Sequence, residues 1–157
     1  MKILVVSDSH RNTSALDKIF LREQTCNEVF FLGDITDDIE DFKIIYPNKN
    51  FHIVSGNCDY YSFFPNVGLE CIEGVNIIFT HGHTYNVKYG TEALLSAAIA
   101  RNCKLALYGH THIPSVDIKN GIFLVNPGSC GSSRGSGETY AVIDITNGKI
   151  YPEIKKI

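Results

Sequence analysis

The sequence lacks an excess of basic residues, which excludes one large class of nucleic-acid-binding proteins. It contains 14 lysine and arginine residues against 17 aspartate and glutamate residues, without a block of like charge. A protein that holds a nucleic-acid duplex through phosphate contacts alone needs a basic surface. We therefore expect no strong binding to nucleic acid.

Paired cysteines and long apolar runs are missing as well. The five cysteines are scattered and form no C-x-x-C motif, so a reduced, cytoplasmic setting is the simplest interpretation. The first apolar run ends at Ser7, and it is too short for a secretion signal or a membrane span. With 157 residues, 44% of them hydrophobic, the chain predicts one domain over residues 1–157 with a sizeable core.

Apolar runs and helical patterns alternate in the first third of the chain. Strands are predicted at residues 3–6, 28–32 and 51–54, with helices near residues 12–25 and 37–41. We expect the acidic residues of the second helix to form a solvated face. The order βαβαβ predicts a layered α/β protein with helices outside the sheets.

The rest of the chain is mostly β structure. Asn120-Gly121 and Asn147-Gly148 lie between strand-like runs, where such pairs are strong hairpin signals. The Gly/Ser-rich loop over residues 126–137 carries one cation, Arg134, and its length favours a functional role. Further strands are predicted at residues 69–72, 75–80, 105–108, 115–118, 122–125, 140–145 and 150–154, and a further helix at residues 91–102.

Acids, an amide and imidazoles directly follow the predicted strands, at the ends where ligands of α/β sheets collect. Five of the six histidines lie in these turns, and only His52 lies inside a strand. Histidines that served packing would scatter, so the clustering indicates a metal site. The candidate ligands are Asp8, His10, Asp34, Asn57, His81, His110 and His112.

The number of candidate ligands points to two ions. Side chains two positions apart in an extended chain point the same way, so Asp8 and His10 are expected on one ion, and the same reasoning pairs His110 with His112. Seven oxygen and nitrogen ligands are too many for one tetrahedral zinc and suit two ions with open positions. Asp34 stands alone between the other ligands and is the natural bridge. Such a centre attracts anions, phosphoesters above all.

Five motifs follow one another along the chain: Asp8-x-His10, Gly33-Asp34, Gly56-Asn57-Cys58-Asp59, His81-Gly82-His83 and Gly109-His110-x-His112. In this order they resemble the motifs of the calcineurin-like metallophosphoesterases. The short length, the loop at residues 126–129 and Cys58 resemble the small YfcE-type phosphodiesterase branch. The resemblance implies a four-layer αββα sandwich of two mixed β-sheets flanked by helices.

The resemblance also implies how the ligands divide between two divalent ions. It implies manganese first, with nickel, iron, cobalt or zinc as alternatives, and attack on phosphorus by a hydroxide bound to both ions. The neighbouring histidines of the last motif then serve different ions, in contrast to the extended-chain reasoning. The first ion takes Asp8, His10 and His112, the second takes Asn57, His81 and His110, and Asp34 bridges them.

Beyond the ligands, the resemblance implies a catalytic set of Asp34, Asn57, Cys58 and His83 acting on a small phosphoester. Cys58 stands where larger phosphoesterases carry a histidine that assists the leaving group. The alternative interpretation is that Cys58 is a small packing residue. His83 and Arg134 are predicted to contact the substrate. The alternative interpretations are that His83 is an ordinary loop histidine and that Arg134 is a solvated loop arginine.

Several alternatives stay open at the level of function. The same site suits a phosphomonoesterase or a cyclic-nucleotide phosphodiesterase as well as a phosphodiesterase. A non-catalytic scaffold is the other class, because a retromer subunit resembles this fold. A homo-oligomer is compatible with the sequence.

Overall fold

The computed structural model describes residues 1–135 and 137–157, and these contain ten β-strands, three α-helices and one 3₁₀-helix. None of the described helices is long and apolar enough to cross a membrane. The helices are α1 (Thr13–Arg22), α2 (Asp37–Ile45) and α3 (Glu92–Ala100), and the 3₁₀-helix spans His83–Tyr85. The strands are β1 (Lys2–Val6), β2 (Glu28–Phe31), β3 (Asn50–Ile53), β4 (Val67–Ile72), β5 (Val75–Thr80), β6 (Leu105–Leu107), β7 (Ser115–Lys119), β8 (Ile122–Asn126), β9 (Thr139–Thr146) and β10 (Lys149–Lys156).

The strands of the described residues form two five-stranded sheets, each mixing parallel and antiparallel pairs. The first sheet has the order β10-β9-β1-β2-β3, and the second has the order β4-β5-β6-β8-β7. In the first sheet β1 is central, because it pairs in parallel with β2 and antiparallel with β9. In the second sheet β5, β6 and β8 run parallel to one another. The prediction of two mixed sheets is confirmed.

Three apolar clusters hold these sheets and helices in four layers. Ile3 and Val5 of β1 point into the cluster between the sheets, where they meet Leu107 of β6. Leu4 and Val6 point to the other face of β1, into a cluster that also contains residues of α1 and α2. A third cluster packs α3 against the outer face of the second sheet. Because β1 is buried on both faces, its apolar run is continuous, and the αββα sandwich is confirmed.

The helix after β1 begins where the sequence predicts. The side-chain oxygen of Asn12 accepts a hydrogen bond from the Ala15 amide at 3.2 Å, which caps the first turn of α1. Leu16, Ile19 and Phe20 are buried on one face of this helix. The packed helix holds the preceding turn, residues 7–12, between β1 and α1.

The fold brings the carboxyl ends of five strands together at one end of the sandwich. β1, β2 and β3 are parallel in the first sheet, and β5 and β6 are parallel in the second. The residues that follow these strands, in the same order, are the segments carrying Asp8, Asp34, Asn57, His81 and His110. The candidate ligands are therefore supplied by both sheets.

Candidate metal centre

Asp8 is the buried carboxylate on which one group of candidate ligands converges. Its Oδ2 accepts hydrogen bonds from the Ser7 hydroxyl at 2.5 Å and from the His110 amide at 3.1 Å. Its Oδ1 is buried and accepts no hydrogen bond from any described residue. That oxygen lies 3.1 Å from Nε2 of His112 and 3.9 Å from Nε2 of His10. A buried carboxylate oxygen without a donor is costly, so its surroundings fit a bound cation.

The first group consists of Asp8, His10, Asp34 and His112. One ligand atom from each of these side chains lies within 4.8 Å of the corresponding atoms of the other three. Nε2 of His10 is 3.3 Å from Nε2 of His112 and 3.8 Å from Oδ2 of Asp34. Two carboxylates and two imidazoles at this spacing can hold one divalent ion.

The second group surrounds Nε2 of His81, which is fully buried. This nitrogen lies 3.2 Å from Oδ1 of Asn57, 3.2 Å from Nδ1 of His110 and 3.4 Å from Oδ1 of Asp34. Asn57 is exposed and His110 is half-buried, so this group opens toward solvent. An amide oxygen, a carboxylate and two imidazoles again form a set that suits a divalent ion.

Asp34 offers a different carboxylate oxygen to each of the two groups, whereas Asp8 approaches both through Oδ1 alone. Its Oδ2 points toward His10 of the first group, and its Oδ1 points toward His81 of the second. Oδ1 also accepts a hydrogen bond from the Cys58 amide at 2.9 Å, which fixes the orientation of the carboxylate. The two oxygens of one side chain are thus available to two ions.

Backbone carbonyls orient the two most buried imidazoles. Nδ1 of His81 is 2.7 Å from the Leu32 carbonyl oxygen, and Nδ1 of His112 is 2.5 Å from the Ser132 carbonyl oxygen. A carbonyl oxygen can only accept, so Nδ1 carries a proton in each ring, and the neutral form of the ring presents an unprotonated Nε2 to its group. Such outer hydrogen bonds are typical of metal-binding histidines.

Burial and neighbouring charges shift several pKa values at the site, and the shifts at Asp8 and His110 favour cation binding. Burial is the largest influence on the pKa of Asp8 and raises it, but His112, His81 and the Ser7 hydroxyl outweigh burial, so the pKa is lowered. Contact with Asp8 is the main cause that raises the pKa of His112. Burial and the charge of His81 lower the pKa of His110 to about 4. Asp8 therefore stays ionised and His110 stays unprotonated at neutral pH.

The backbone turns at the ligands instead of running straight, so the extended-chain reasoning fails for His110 and His112, whereas Asp8 and His10 still fall in one group. Nδ1 of His110 faces His81, whereas Nε2 of His112 faces Asp8, although the two histidines are two positions apart. Positive φ angles are uncommon for residues other than glycine and indicate a constrained backbone. They occur at Asp8 (56°), His10 (45°), Asp34 (61°), His110 (69°) and His112 (60°).

Asp59 holds the turn after β2 against the turn after β3. Three of its four backbone partners belong to the turn carrying Asp34, and one belongs to the turn carrying Asn57. Both carboxylate oxygens accept two backbone hydrogen bonds each, an arrangement that fixes both turns. The donors are the amides of Asp34 (3.0 Å), Ile35 (2.9 Å), Thr36 (2.7 Å) and Gly56 (2.7 Å).

Asp38 corrects the expectation of a purely solvated acidic face on α2. Its Oδ2 accepts hydrogen bonds from the Ser9 hydroxyl at 2.6 Å and from the Arg11 amide at 2.7 Å. These bonds tie the segment around His10 to α2. A run of acids in a sequence does not reveal which member has backbone partners, so this contact was missed.

The Gly/Ser-rich loop donates hydrogen bonds to backbone carbonyls of the turns that carry the ligands. The Ser129 hydroxyl donates to the Asp8 carbonyl at 2.7 Å, and the Cys130 amide donates to the Ser7 carbonyl at 3.1 Å. The Asn126 side chain donates to the Gly109 carbonyl at 3.0 Å, next to His110. Ser136, which belongs to this loop, lies outside the described residues. The functional role expected for the loop therefore includes holding the Asp8 and His110 turns.

The three remaining candidates lie beside the two ligand groups. Cys58 is half-buried, and burial followed by the charge of Asp34 raises its pKa to about 11, so it is a thiol at neutral pH. The His83 ring lies 5.4 Å from the His81 ring, and its buried Nδ1 has no hydrogen-bond partner among the described residues. Arg134 is exposed, and its charge opposes protonation of His112.

Comparisons with known proteins agree with this geometry. A model of the calcineurin-like phosphoesterase superfamily domain matches residues 1–148. The chain is 27% identical over 150 residues to the probable metallophosphoesterase YsnB of Bacillus subtilis, and this alignment covers 94% of the chain and 86% of YsnB.

Solved structures show the same fold. A conserved uncharacterized protein from Streptococcus pneumoniae TIGR4, described as a predicted phosphoesterase, matches with a TM-score of 0.84 and 26% identity, over 99% of the chain and 88% of that protein. Vps29 of Entamoeba histolytica, whose crystal structure is of a complex with Zn²⁺, matches with a TM-score of 0.77 and 19% identity, over 99% of the chain and 98% of Vps29. The second likeness concerns the fold alone.

Proposed function

The chain belongs to the calcineurin-like phosphoesterase superfamily, and from this membership we propose that it is a metal-dependent phosphodiesterase acting on a small phosphodiester. The observation that carries the proposal is the Asp34 carboxylate, whose two oxygens face two separate groups of ligand atoms within 4 Å. Two divalent ions at such a site would supply a nucleophile from water near neutral pH and would stabilise the leaving oxygen.

The side chains of this protein have three tasks in the proposed reaction. The two buried carboxylates, Asp8 and Asp34, balance only part of the charge of two divalent ions, so the centre retains an attraction for a phosphate anion. The oriented imidazoles and the Asn57 amide hold the ligand atoms in place. Arg134 is exposed and the His83 ring lies 5.4 Å from the His81 ring, and we propose that both side chains contact the phosphate oxygens.

Access to the centre is from the side of its least buried ligands. His10 and His110 are half-buried and Asn57 is exposed, whereas Asp8 and His81 are fully buried. A small phosphoester can therefore reach both groups from one face. The deeper residues keep their positions through contacts with the protein interior.

A direct test uses the purified protein with its metals measured. We expect close to two divalent ions per chain and hydrolysis of bis(p-nitrophenyl) phosphate that exceeds hydrolysis of p-nitrophenyl phosphate when manganese is added. A chelator should abolish both reactions, and manganese should restore them. His110→Ala should lower metal content with the fold retained, whereas His52→Ala, a strand histidine outside both groups, should not.

Two results would replace the proposal. Faster hydrolysis of the monoester would make the protein a phosphomonoesterase at the same centre. If the metal-loaded protein cleaved neither ester and bound a protein partner tightly, a scaffold function would be favoured, in keeping with the fold it shares with Vps29.

The preference for diesters is proposed from Cys58. A thiol is a weaker hydrogen-bond donor than an imidazolium and a poorer acid, so it gives little help to a leaving alkoxide. We expect Cys58→His to raise kcat/KM about tenfold or more for an alkyl ester, whose leaving group is poor, and to change that of a p-nitrophenyl ester much less. Plots of kcat/KM against leaving-group pKa measure the effect.

The control for this substitution is Cys71→His, at an exposed cysteine of β4. It should leave the plot unchanged. The same slope for the wild type and Cys58→His would mean that this position takes no part in leaving-group chemistry.

A further inference from the structure

Two neighbouring tyrosines are almost fully exposed next to the metal centre. The side chains of Tyr60 and Tyr61 are 86% and 95% exposed, and they follow directly on Cys58 and Asp59. Single exposed aromatic residues are common on protein surfaces. Adjacent ones beside a group of candidate catalytic residues are unusual and suggest a ligand.

The backbone that carries the tyrosines is well held. Asp59 accepts its four backbone hydrogen bonds immediately before them. After them, the Ser55 hydroxyl donates to the Ser62 hydroxyl at 3.0 Å and to the Phe64 carbonyl at 2.7 Å. The rings are thus presented from a turn fixed on both sides, which reduces the entropy lost when a ligand binds.

Both tyrosines line a cavity of about 240 Å³ beside the turns that carry Asp34 and Asn57. Cys58 lines the same cavity, and its amide donates to Oδ1 of Asp34. Pockets that enclose a drug-sized ligand measure about 300–1,000 Å³, so this cavity suits one substituent of a substrate whose phosphate lies at the ions. The other lining residues are Arg11, Ile35, Thr36, Asp37, Asp59 and Ser62.

Arg11 gives the cavity a cation. It is exposed, and its guanidinium forms no ion pair or hydrogen bond with the residues described in the structure. Its backbone is fixed, because its amide donates to Asp38 and its φ angle is 67°. Two carboxylates line the cavity as well, but that of Asp59 is occupied by its four backbone donors, which leaves Asp37 opposite Arg11 in charge. A cavity that combines a guanidinium with two aromatic residues is suited to a ligand with a planar ring and a phosphate group.

We propose that this cavity binds the nucleoside portion of a nucleotide phosphodiester, with the base against Tyr60 and Tyr61 and Arg11 near a phosphate oxygen. The inference rests on the proposed function and specifies its substrate class. Water adds across one P–O ester bond: its oxygen joins phosphorus, its proton goes to the departing alcohol, and a nucleoside monophosphate and that alcohol are released. Aromatic side chains stack on any base, so the cavity would favour a nucleoside without distinguishing which base it carries.

The test compares two diesters with the same leaving group, thymidine 5′-(p-nitrophenyl phosphate) and methyl p-nitrophenyl phosphate. With the metal-loaded enzyme we expect kcat/KM to be about tenfold or more higher for the nucleoside ester. The Tyr60→Ala, Tyr61→Ala double variant should reduce this ratio about tenfold. Tyr151→Ala is the matched control, because Tyr151 is an exposed tyrosine of β10 at the opposite end of the first sheet.

A second readout does not need turnover. Calorimetry on the metal-loaded protein should give a Kd for adenosine 5′-monophosphate about tenfold below that for ribose 5-phosphate, and the double variant should remove the difference. Equal kcat/KM values for the two diesters together with equal Kd values would overturn the nucleoside site and leave the phosphodiesterase in place. Tyrosine-dependent binding of the nucleotide without hydrolysis of either diester would support the site and overturn the proposed function.

Discussion

Asp34→Asn should lower kcat/KM for a phosphodiester by about a hundredfold to a thousandfold while the protein stays folded. Asparagine has almost the same shape, but it replaces one carboxylate oxygen by an amide nitrogen that cannot bind a cation. Because the two oxygens face His10 and His81 in different groups, either orientation of the amide leaves one group without its shared ligand. Loss of a preorganised charge contact at a reacting centre has effects of this size.

The measurement combines metal analysis with kinetics. The variant should retain at most about one ion per chain, and its circular dichroism spectrum should match that of the wild type. Asp41→Asn, an acid-to-amide change at an exposed residue of α2, is the control and should keep full metal content and activity. Near-normal hydrolysis by Asp34→Asn would show that this carboxylate is not shared between two ions.

Asp59→Asn should destabilise the protein by about 3 kcal/mol or more and lower its metal content. The carboxylate accepts four backbone hydrogen bonds, two at each oxygen, and an amide nitrogen at either position would face two donors. Hydrogen bonds to a charged acceptor contribute roughly 1.5–3 kcal/mol each, and at least two would be lost. The turn that carries Asp34 would then lose the contacts that hold its left-handed backbone.

Denaturant unfolding of the protein with and without manganese separates the two effects. The variant should show a lower free energy of unfolding in both conditions and a smaller gain from manganese than the wild type. Asp117→Asn, at an exposed position of β7, should change neither value. Unchanged stability in Asp59→Asn would mean that water replaces the lost acceptor at no cost.

Local structure follows the sequence closely because it depends on neighbouring residues. The predicted strand at residues 75–80 matches β5 (Val75–Thr80), and the helix predicted near residues 12–25 corresponds to α1 (Thr13–Arg22) with Asn12 as its cap. The 3₁₀-helix at His83–Tyr85 was not predicted, since three residues give too short a pattern. Apolar periodicity and capping chemistry determine these elements without reference to distant parts of the chain.

The composition of the candidate site was predictable, whereas its geometry was not. The ligand residues could be named because they follow strands whose ends converge. Their grouping depends on left-handed turns that no period in the sequence reveals, as His110 and His112 show. Their support depends on distant residues, such as Ser129 beneath Asp8, which is 121 positions away. A serine in a Gly/Ser-rich loop carries no signal of such a contact.

The central position of β1 has a consequence for synthesis on the ribosome. Residues 2–5 pair with residues 141–144 on β9, so one edge of β1 has its partner only after about 140 more residues have been made. At about 5–20 residues per second, that interval is roughly 7–30 s. During it, an apolar strand with an unpaired edge is exposed to association with other chains. The segment that presents Asp8 is therefore made well before the strand that completes the sheet around it.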